Sequence, residues 1–142
     1  MDIAHAHNSP FHTSTKMLTK QGFNTSKVPR STEVFPQAVI AGNLVFLSGT
    51  TGVDPTTGQL PDDFEKQAIQ ALANIKTILE ELGSGLNKIL KTTVFMVTGN
   101  DFAILNKVYG QVFPENAPAR STPQVMPFPA GILISIECIA LL

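Results

Sequence analysis

The sequence predicts an α+β domain in which a mixed β-sheet carries two helices on one face. Two segments with apolar residues at helical spacing, 64–82 and 102–113, predict the helices, and several apolar runs rich in β-branched residues predict the strands. The order strand-strand-helix-strand-helix-strand-strand is typical of such a fold. The chain has 142 residues, 43% of them hydrophobic, so residues 31–142 are predicted to form one domain with its own core.

Residues 1–30 are predicted to be an N-terminal extension to this domain. Asp2 is the only acidic residue before Glu33, and Ser, Thr, Asn, His and Lys dominate without helical or strand periodicity. An acid-poor, Ser-rich segment suits a transit peptide, and a segment packed on a neighbouring subunit is the alternative. His5 and His7 would share one face of a strand, but no cysteine or acidic cluster completes a metal site, so no metal is expected.

The first strands are predicted as a hairpin over residues 39–48. Two β-rich runs flank Gly42 and Asn43, a turn pair that tolerates positive φ. Ser48 and Gly49 end the second strand, where a glycine permits close approach by a ligand or by another strand.

The first helix, 64–82, presents one apolar stripe. Asp62 or Asp63 is its predicted N-cap, and Gly83 marks its C-terminal stop. The helix also has a polar edge, which is expected to face solvent or another subunit and comprises Gln67, Gln70 and Asn74.

The second half of the chain is predicted to add a strand, a helix and two further strands. Residues 89–97 alternate as a strand, and Asp101 caps a helix that ends before Pro114. Tyr109 and Phe113 recur at helical spacing and are assigned to the core. The predicted remainder is a stiff proline-rich loop over 114–123, a short strand over 124–126 and a last strand over 131–142.

That last strand is apolar on both faces, with two exceptions. Ser135 and Glu137 fall on the same face, at positions i and i+2. Because two helices cover only one face of the sheet, the other face needs a partner. A homo-oligomer is the simplest way to bury it.

Composition argues against several classes of function. A net charge of −1 and a pI near 6.3 give no attraction toward nucleic acid or anionic membranes. No apolar run approaches the roughly 20 residues that span a bilayer. Cys138 is the one cysteine, so no internal disulfide forms. This suits a reducing compartment, expected to be the cytoplasm, or an organelle matrix if residues 1–30 are a transit peptide.

Arg120 is the candidate site residue that the sequence itself offers. It lies between Pro118 and Pro123 among small residues, and it is the only arginine after Arg30. A guanidinium is a planar, permanently charged fork that suits a carboxylate or a phosphate. On this segment alone, a surface ion pair is the favoured interpretation, and a ligand anchor is the alternative.

A series of motifs runs in order through residues 31–142. They are GNLVFLSG at 42–49, DPTTG at 54–58, a helix over 67–83 that contains ALANI, KTTVF at 91–95, DFA at 101–103 followed by Asn106 and Tyr109, PARS at 118–121, and IECIA at 136–140. Together they resemble the RidA/YjgF family of enamine/imine deaminases, also called the L-PSP endoribonuclease family.

The resemblance implies a chorismate-mutase-like fold of the bacillus type and a homotrimer with three clefts between subunits. It also implies hydrolysis of 2-aminoacrylate or related 2-imino acids to 2-keto acids and ammonia, without a cofactor. Arg120 would be catalytic, because it would clamp the substrate carboxylate and fix the imine carbon for attack by water. The other substrate-binding residues that the resemblance implies are Phe35, Ser48, Gly49, Asn106, Thr122, Ser135 and Glu137.

Two positions depart from the family pattern. Phe35 stands where many active relatives have Tyr, so it keeps an aromatic wall and loses a hydroxyl. Ser135 stands where relatives commonly have the Glu that binds or activates water, and a serine is no general base near neutral pH without help. Glu137 lies about 6.6 Å farther along the strand, so it is expected to be structural or to pair with Arg120.

Three functions are weighed on this basis. A RidA-type deaminase of weak or altered activity is favoured, because the anchor for a carboxylate is intact. A non-catalytic protein that binds small carboxylates is the alternative, because the usual acid/base group is missing. Ribonuclease activity, which has been assigned to some relatives, is disfavoured, because residues 31–142 contain no histidine and the chain carries little net charge.

Overall fold

The computed structural model describes residues 19–142, which form a seven-stranded mixed sheet with two helices on one face. The helices are α1 (Phe64–Glu81) and α2 (Phe102–Val112). The strands are β1 (Lys20–Phe23), β2 (Ala38–Ala41), β3 (Leu44–Thr50), β4 (Ile89–Val97), β5 (Ala119–Ser121), β6 (Gln124–Val125) and β7 (Ile134–Leu141).

The last strand of the chain lies in the middle of the sheet. The strand order is β1-β2-β3-β7-β4-β5, and β6 also pairs with β4. β7 is antiparallel to β3 and β4, whereas β5 and β6 are parallel to β4. This topology places β5 at the outer edge of β4, with Arg120 opposite Thr92.

The two faces of the sheet have different surroundings. Thr92, Val94 and Met96 on β4 are buried toward the helices, as are Ile134, Ile136 and Cys138 on β7. The alternate residues form an open face that no other element of residues 19–142 covers. Its exposed or half-buried apolar residues include Phe46, Phe95, Ile139 and Leu141.

The helices begin and end where the sequence predicts. Asp63 accepts a hydrogen bond from the Lys66 amide and caps α1, and Gly83 takes a φ of +80° just after it. Asp101 accepts from the Ala103 amide and caps α2. Tyr109 and Phe113 are buried, which confirms their assignment to the core.

The prediction that the polar edge of α1 faces solvent or another subunit is wrong for Gln67 and Asn74. Gln67 and Asn74 are each only 1% exposed. The Gln67 amide donates to the carbonyls of Pro61 and Gly131 and accepts from the Leu133 amide. Asn74 donates to the carbonyls of Thr51 and Val53. These side chains face inward because they satisfy backbone groups of loops that have no other partners.

Two strands were not predicted. β1 lies within residues 1–30, and the buried side chain of Val28 follows it, so the folded domain extends into the predicted extension. β5 lies within residues 114–123, which were predicted to be loop. Both are short edge strands without clear alternation, so pairing with β2 and β4 defines them. The last strand begins at Ile134, because residues 129–131 form a 3₁₀ turn.

Candidate functional site

Arg120 is held in one orientation by two residues of α2. Its Nη2 donates to Asn106 Oδ1 at 2.8 Å. Its guanidinium carbon lies 4.8 Å from the centroid of the Tyr109 ring, which is a cation–π distance. The side chain points to the helix-covered side of the sheet edge, the side of its register partner Thr92.

Tyr109 is itself held in place by a residue of β4. Its hydroxyl hydrogen-bonds to Thr92 Oγ1 at 2.7 Å, and Thr92 is fully buried. Burial raises the pKa of Tyr109 above its usual range, although the Thr92 hydrogen bond and the nearby Arg120 charge oppose this. Tyr109 therefore stays neutral at physiological pH and serves as a rigid platform for the Arg120 cation.

Among residues 19–142, Arg120 has no carboxylate within salt-bridge distance. Lys27, Lys66 and Lys107, in contrast, each pair with an acidic residue. The pairing of Glu137 with Arg120 that the sequence left open does not form within one chain. The two residues lie on opposite faces of the sheet, because Glu137 is opposite Thr93 and Arg120 is opposite Thr92. The Arg120 donors that Asn106 does not occupy are therefore free for a ligand.

A second cluster of predicted residues lines a pocket at the other side of the domain. Phe35, Ser48 and Gly49 share this pocket with Arg30 and the buried Asn74. Ser48 Oγ donates to the Pro36 carbonyl at 2.8 Å, and the Ser48 amide donates to the Gln37 carbonyl at 2.9 Å. Phe35 is 46% exposed, so its ring forms an open wall.

Ser135 lies directly beside this second cluster. A Cβ added to Gly49 would come within 2.6 Å of Ser135 Oγ, so the glycine makes room for the serine hydroxyl. Ser135 is on the open face, opposite Phe95 of β4. Glu137 follows on the same face and is exposed, beside a groove that Phe46, Lys91, Thr93 and Ile139 also line.

The predicted site residues thus fall into two groups within one chain. Arg120 and Asn106 form one group at the α2 edge of the sheet, and Thr122, half-buried, follows Arg120 at the end of β5. Phe35, Ser48 and Gly49 form the other group, at the pocket beside the end of β3. Ser135 lies next to Gly49 on the open face, with Glu137 farther along that face. A single chain does not bring the two groups together.

Two residues of these groups were missed from the sequence. Tyr109 was assigned to the core, and nothing in its helical spacing shows that a cation stacks on its ring. Arg30 was placed in the N-terminal extension, so its position in the pocket with Phe35 was not expected. Its proximity in sequence to Phe35 was the one signal that pointed to it.

Residues 19–142 contain no group of three His, Cys, Asp or Glu side chains that could hold a metal ion. Cys138 is buried, and burial raises the pKa of its thiol to about 12, so it is not a nucleophile at neutral pH. His5 and His7 lie outside the described residues. Within the described part of the chain, no helix is long and apolar enough to cross a membrane.

Comparison with known proteins identifies the family. The family profile described as endoribonuclease L-PSP matches residues 11–142. The chain belongs to the RidA/YjgF family. A 2-iminobutanoate/2-iminopropanoate deaminase from Rattus norvegicus is 38% identical over 124 residues, covering 87% of this chain and 90% of the relative. The chloroplastic Reactive Intermediate Deaminase A of Arabidopsis thaliana is 39% identical over 130 residues, covering 91% and 70% respectively.

Solved structures of family members share the fold. RidA from an Antarctic Psychrobacter superposes with a TM-score of 0.81 at 39% identity, covering 86% of this chain and 99% of that one. A putative endoribonuclease from Thermotoga maritima gives 0.81 at 37% identity, covering 87% and 98%. The predicted chorismate-mutase-like α+β fold is confirmed. Proteins named as 2-iminobutanoate/2-iminopropanoate deaminases are among this chain's relatives.

Proposed function

We propose that this RidA-family protein hydrolyses 2-aminoacrylate and related 2-imino acids to 2-keto acids and ammonia. The observation that carries the proposal is Arg120, held by Asn106 and Tyr109 with no carboxylate partner among residues 19–142. A fixed guanidinium with free donors suits the carboxylate that every 2-imino acid carries. The deaminase relatives, at 38–39% identity, support the same reaction class.

The reaction requires that the substrate carbon attacked by water is held in position. 2-Aminoacrylate tautomerises to an imine, water adds its oxygen to C2, and the nitrogen leaves as ammonia after protonation. The carboxylate beside C2 is the natural handle, because clamping it on Arg120 fixes the carbon that water attacks. No redox step occurs, so no cofactor is required for the reaction as written.

The site that we propose lies between two subunits of a homotrimer. Arg120 and Ser135 lie on opposite faces of one sheet. We therefore propose that the Arg120 group of one chain meets the Ser135 group of a neighbour. The open face supports this assembly, because its apolar residues Phe46 and Leu141 are 40% and 39% exposed and a neighbouring chain would bury them. In the assembled cleft, the backbone at Ser48 and Gly49 lies beside the substrate.

Ser135 sets the expected speed of the reaction. A positioned carboxylate acting as general acid or base typically contributes about 10²–10⁴ in rate, and Ser135 does not supply it. Its hydroxyl, next to Gly49, can hold a water molecule by hydrogen bonding without deprotonating it. We therefore expect slow turnover that depends on carboxylate binding at Arg120.

The test is keto-acid release from 2-aminoacrylate generated in situ. The wild type should exceed the spontaneous rate, Arg120→Ala should fall to that rate, and Arg120→Lys should retain only part of the activity, because an ammonium has no planar fork. Lys76→Ala, an exposed cation on α1, is the control for loss of charge. A wild type that is indistinguishable from Arg120→Ala at the spontaneous rate would contradict a deaminase.

The second candidate function is binding of small carboxylates without turnover. The observation that favours it is Ser135 beside an intact Arg120, so that recognition is retained without a general base. Calorimetry with 2-ketobutyrate separates the two functions. Binding that requires Arg120, together with no keto-acid release above the spontaneous rate, would support this candidate over the deaminase.

Ribonuclease activity, which the name of the family profile suggests, has less support. A metal-independent nuclease needs groups that transfer protons at the phosphate, and residues 13–142 contain no histidine. The near-neutral charge also gives little attraction for RNA. We propose a location in the cytoplasm, or in an organelle matrix if residues 1–30 are a transit peptide.

A further inference from the structure

Arg30 borders the same pocket as three of the predicted substrate-binding residues. Phe35, Ser48 and Gly49 line it, and Arg30 is part of its rim. Arg30 Nη2 donates to the Phe35 carbonyl at 3.1 Å, which ties the guanidinium to the backbone of another pocket residue. One of its five N–H donors is used in this way, so the others are available to a ligand.

The chain segment that carries Arg30 is anchored to the sheet. Val28 is 4% exposed in the core, and its carbonyl accepts from Gln37 Nε2 at 2.7 Å. Gln37 Oε1 also accepts from the Thr25 amide at 2.7 Å. Because Gln37 binds this segment at two points and Pro29 fixes φ before Arg30, the base of the Arg30 side chain is held at the pocket.

Arg30 has no carboxylate within salt-bridge distance among residues 19–142. Lys27, three residues earlier, pairs with Glu81 at 2.9 Å. The neighbouring cation in this segment therefore has a carboxylate partner among the described residues, whereas Arg30 does not. The chain has only two arginines, and each lies in one of the two groups that the proposed cleft brings together. A cleft with a free guanidinium on each wall suits a ligand with two anionic groups.

We propose that Arg30 binds a second carboxylate, and that the preferred substrates are 2-imino dicarboxylic acids such as 2-iminoglutarate. This rests on the proposed function, because Arg120 must hold the carboxylate next to the imine carbon. Arg30, from the opposite wall, then pairs with the carboxylate at the end of the substrate side chain. Arg30 is thus a specificity-determining residue, and the hydrolysis itself is unchanged.

The experiment measures binding of three 2-keto acids, the stable products, to the full-length chain by calorimetry. 2-Oxoglutarate carries the second carboxylate, 2-oxohexanoate has a neutral side chain of similar length, and 2-ketobutyrate is short. The wild type should bind 2-oxoglutarate about tenfold more tightly than 2-oxohexanoate, as expected for one charge-assisted contact. Arg30→Gln should remove this preference and leave the affinity for 2-ketobutyrate unchanged.

Lys20→Gln removes the same charge from an exposed position on β1, outside the pocket, and should keep the preference. Two results would overturn the proposed role of Arg30 without affecting the proposed function. One is equal binding of 2-oxoglutarate and 2-oxohexanoate by the wild type, and the other is a preference for 2-oxoglutarate that survives in Arg30→Gln. If the wild type binds none of the three acids, the proposed function fails and the role of Arg30 fails with it. If Lys20→Gln loses the preference for 2-oxoglutarate as fully as Arg30→Gln does, the preference reflects general charge attraction, and the proposed role of Arg30 is overturned.

Discussion

In the proposed site, binding of a substrate carboxylate depends on the side chains that hold Arg120 in place. Thr92 fixes the hydroxyl of Tyr109, the Tyr109 ring lies under the Arg120 guanidinium, and Asn106 binds one edge of that guanidinium. These contacts order the long, flexible Arg120 side chain before a ligand binds, so less conformational entropy is lost on binding.

Replacing Tyr109 tests this support. Tyr109→Leu removes the ring, and we expect the Kd for 2-ketobutyrate to rise about three- to tenfold, in line with a cation–π contact of about 1 kcal/mol. Tyr109→Phe keeps the ring and should leave the Kd unchanged. It should lower the free energy of unfolding by about 1–2 kcal/mol, because the buried Thr92 hydroxyl loses its partner. Equal losses of affinity in both variants would argue against a platform role.

In the proposed reaction Ser135 limits catalysis, so we expect a change at this residue to improve it. Ser135→Glu places a carboxylate beside Gly49, which leaves space because it has no Cβ. We expect kcat for 2-aminoacrylate to rise by about 10²-fold, the lower end of the range for a positioned acid/base group. Ser135→Gln, of the same size but without the acid, should give no gain. An unchanged kcat in Ser135→Glu would mean that Ser135 does not face the reacting carbon.

At the scale of elements, the long periodic segments could be predicted and the short edge strands could not. α1, α2 and β4 carry their own caps or alternation, so their bounds follow closely from the sequence. β1 and β5 have four and three residues and exist because β2 and β4 offer free edges. Arg120 could be predicted as an anchor through its motif, whereas Arg30 could not, because its segment is positioned by Gln37 and by Val28 in the core.

Gln67 links α1 to two loops, and its removal should therefore weaken the whole domain. Gln67→Leu would leave the Pro61 and Gly131 carbonyls and the Leu133 amide without their partner. We expect the free energy of unfolding in urea to fall by about 3 kcal/mol. Gln70→Leu, on the same helix but half exposed, should cost less than about 1 kcal/mol. Similar losses in the two variants would show that the loop contacts add little.

At the scale of the whole molecule, the fold separates the two halves of the proposed site. β5 carries Arg120 to one face of the sheet edge, and β7 presents Ser135 on the other face. Sequence motifs identify both halves, but the sequence cannot show that they are apart in one chain, because that depends on the position of β7 between β3 and β4. We therefore propose that the site is complete only when two chains meet through the open face.

Mixing two inactive variants tests this arrangement most directly. Arg120→Gln removes the anchor, and Gly49→Val fills the space at Ser135, so oligomers of either variant alone should be inactive. In oligomers reassembled from equal amounts of both, a site between subunits has two intact halves in about one case in four. We therefore predict recovery of about a quarter of the wild-type rate of keto-acid release from 2-aminoacrylate. Mixed oligomers of the expected mass that remain inactive would contradict a site shared between subunits.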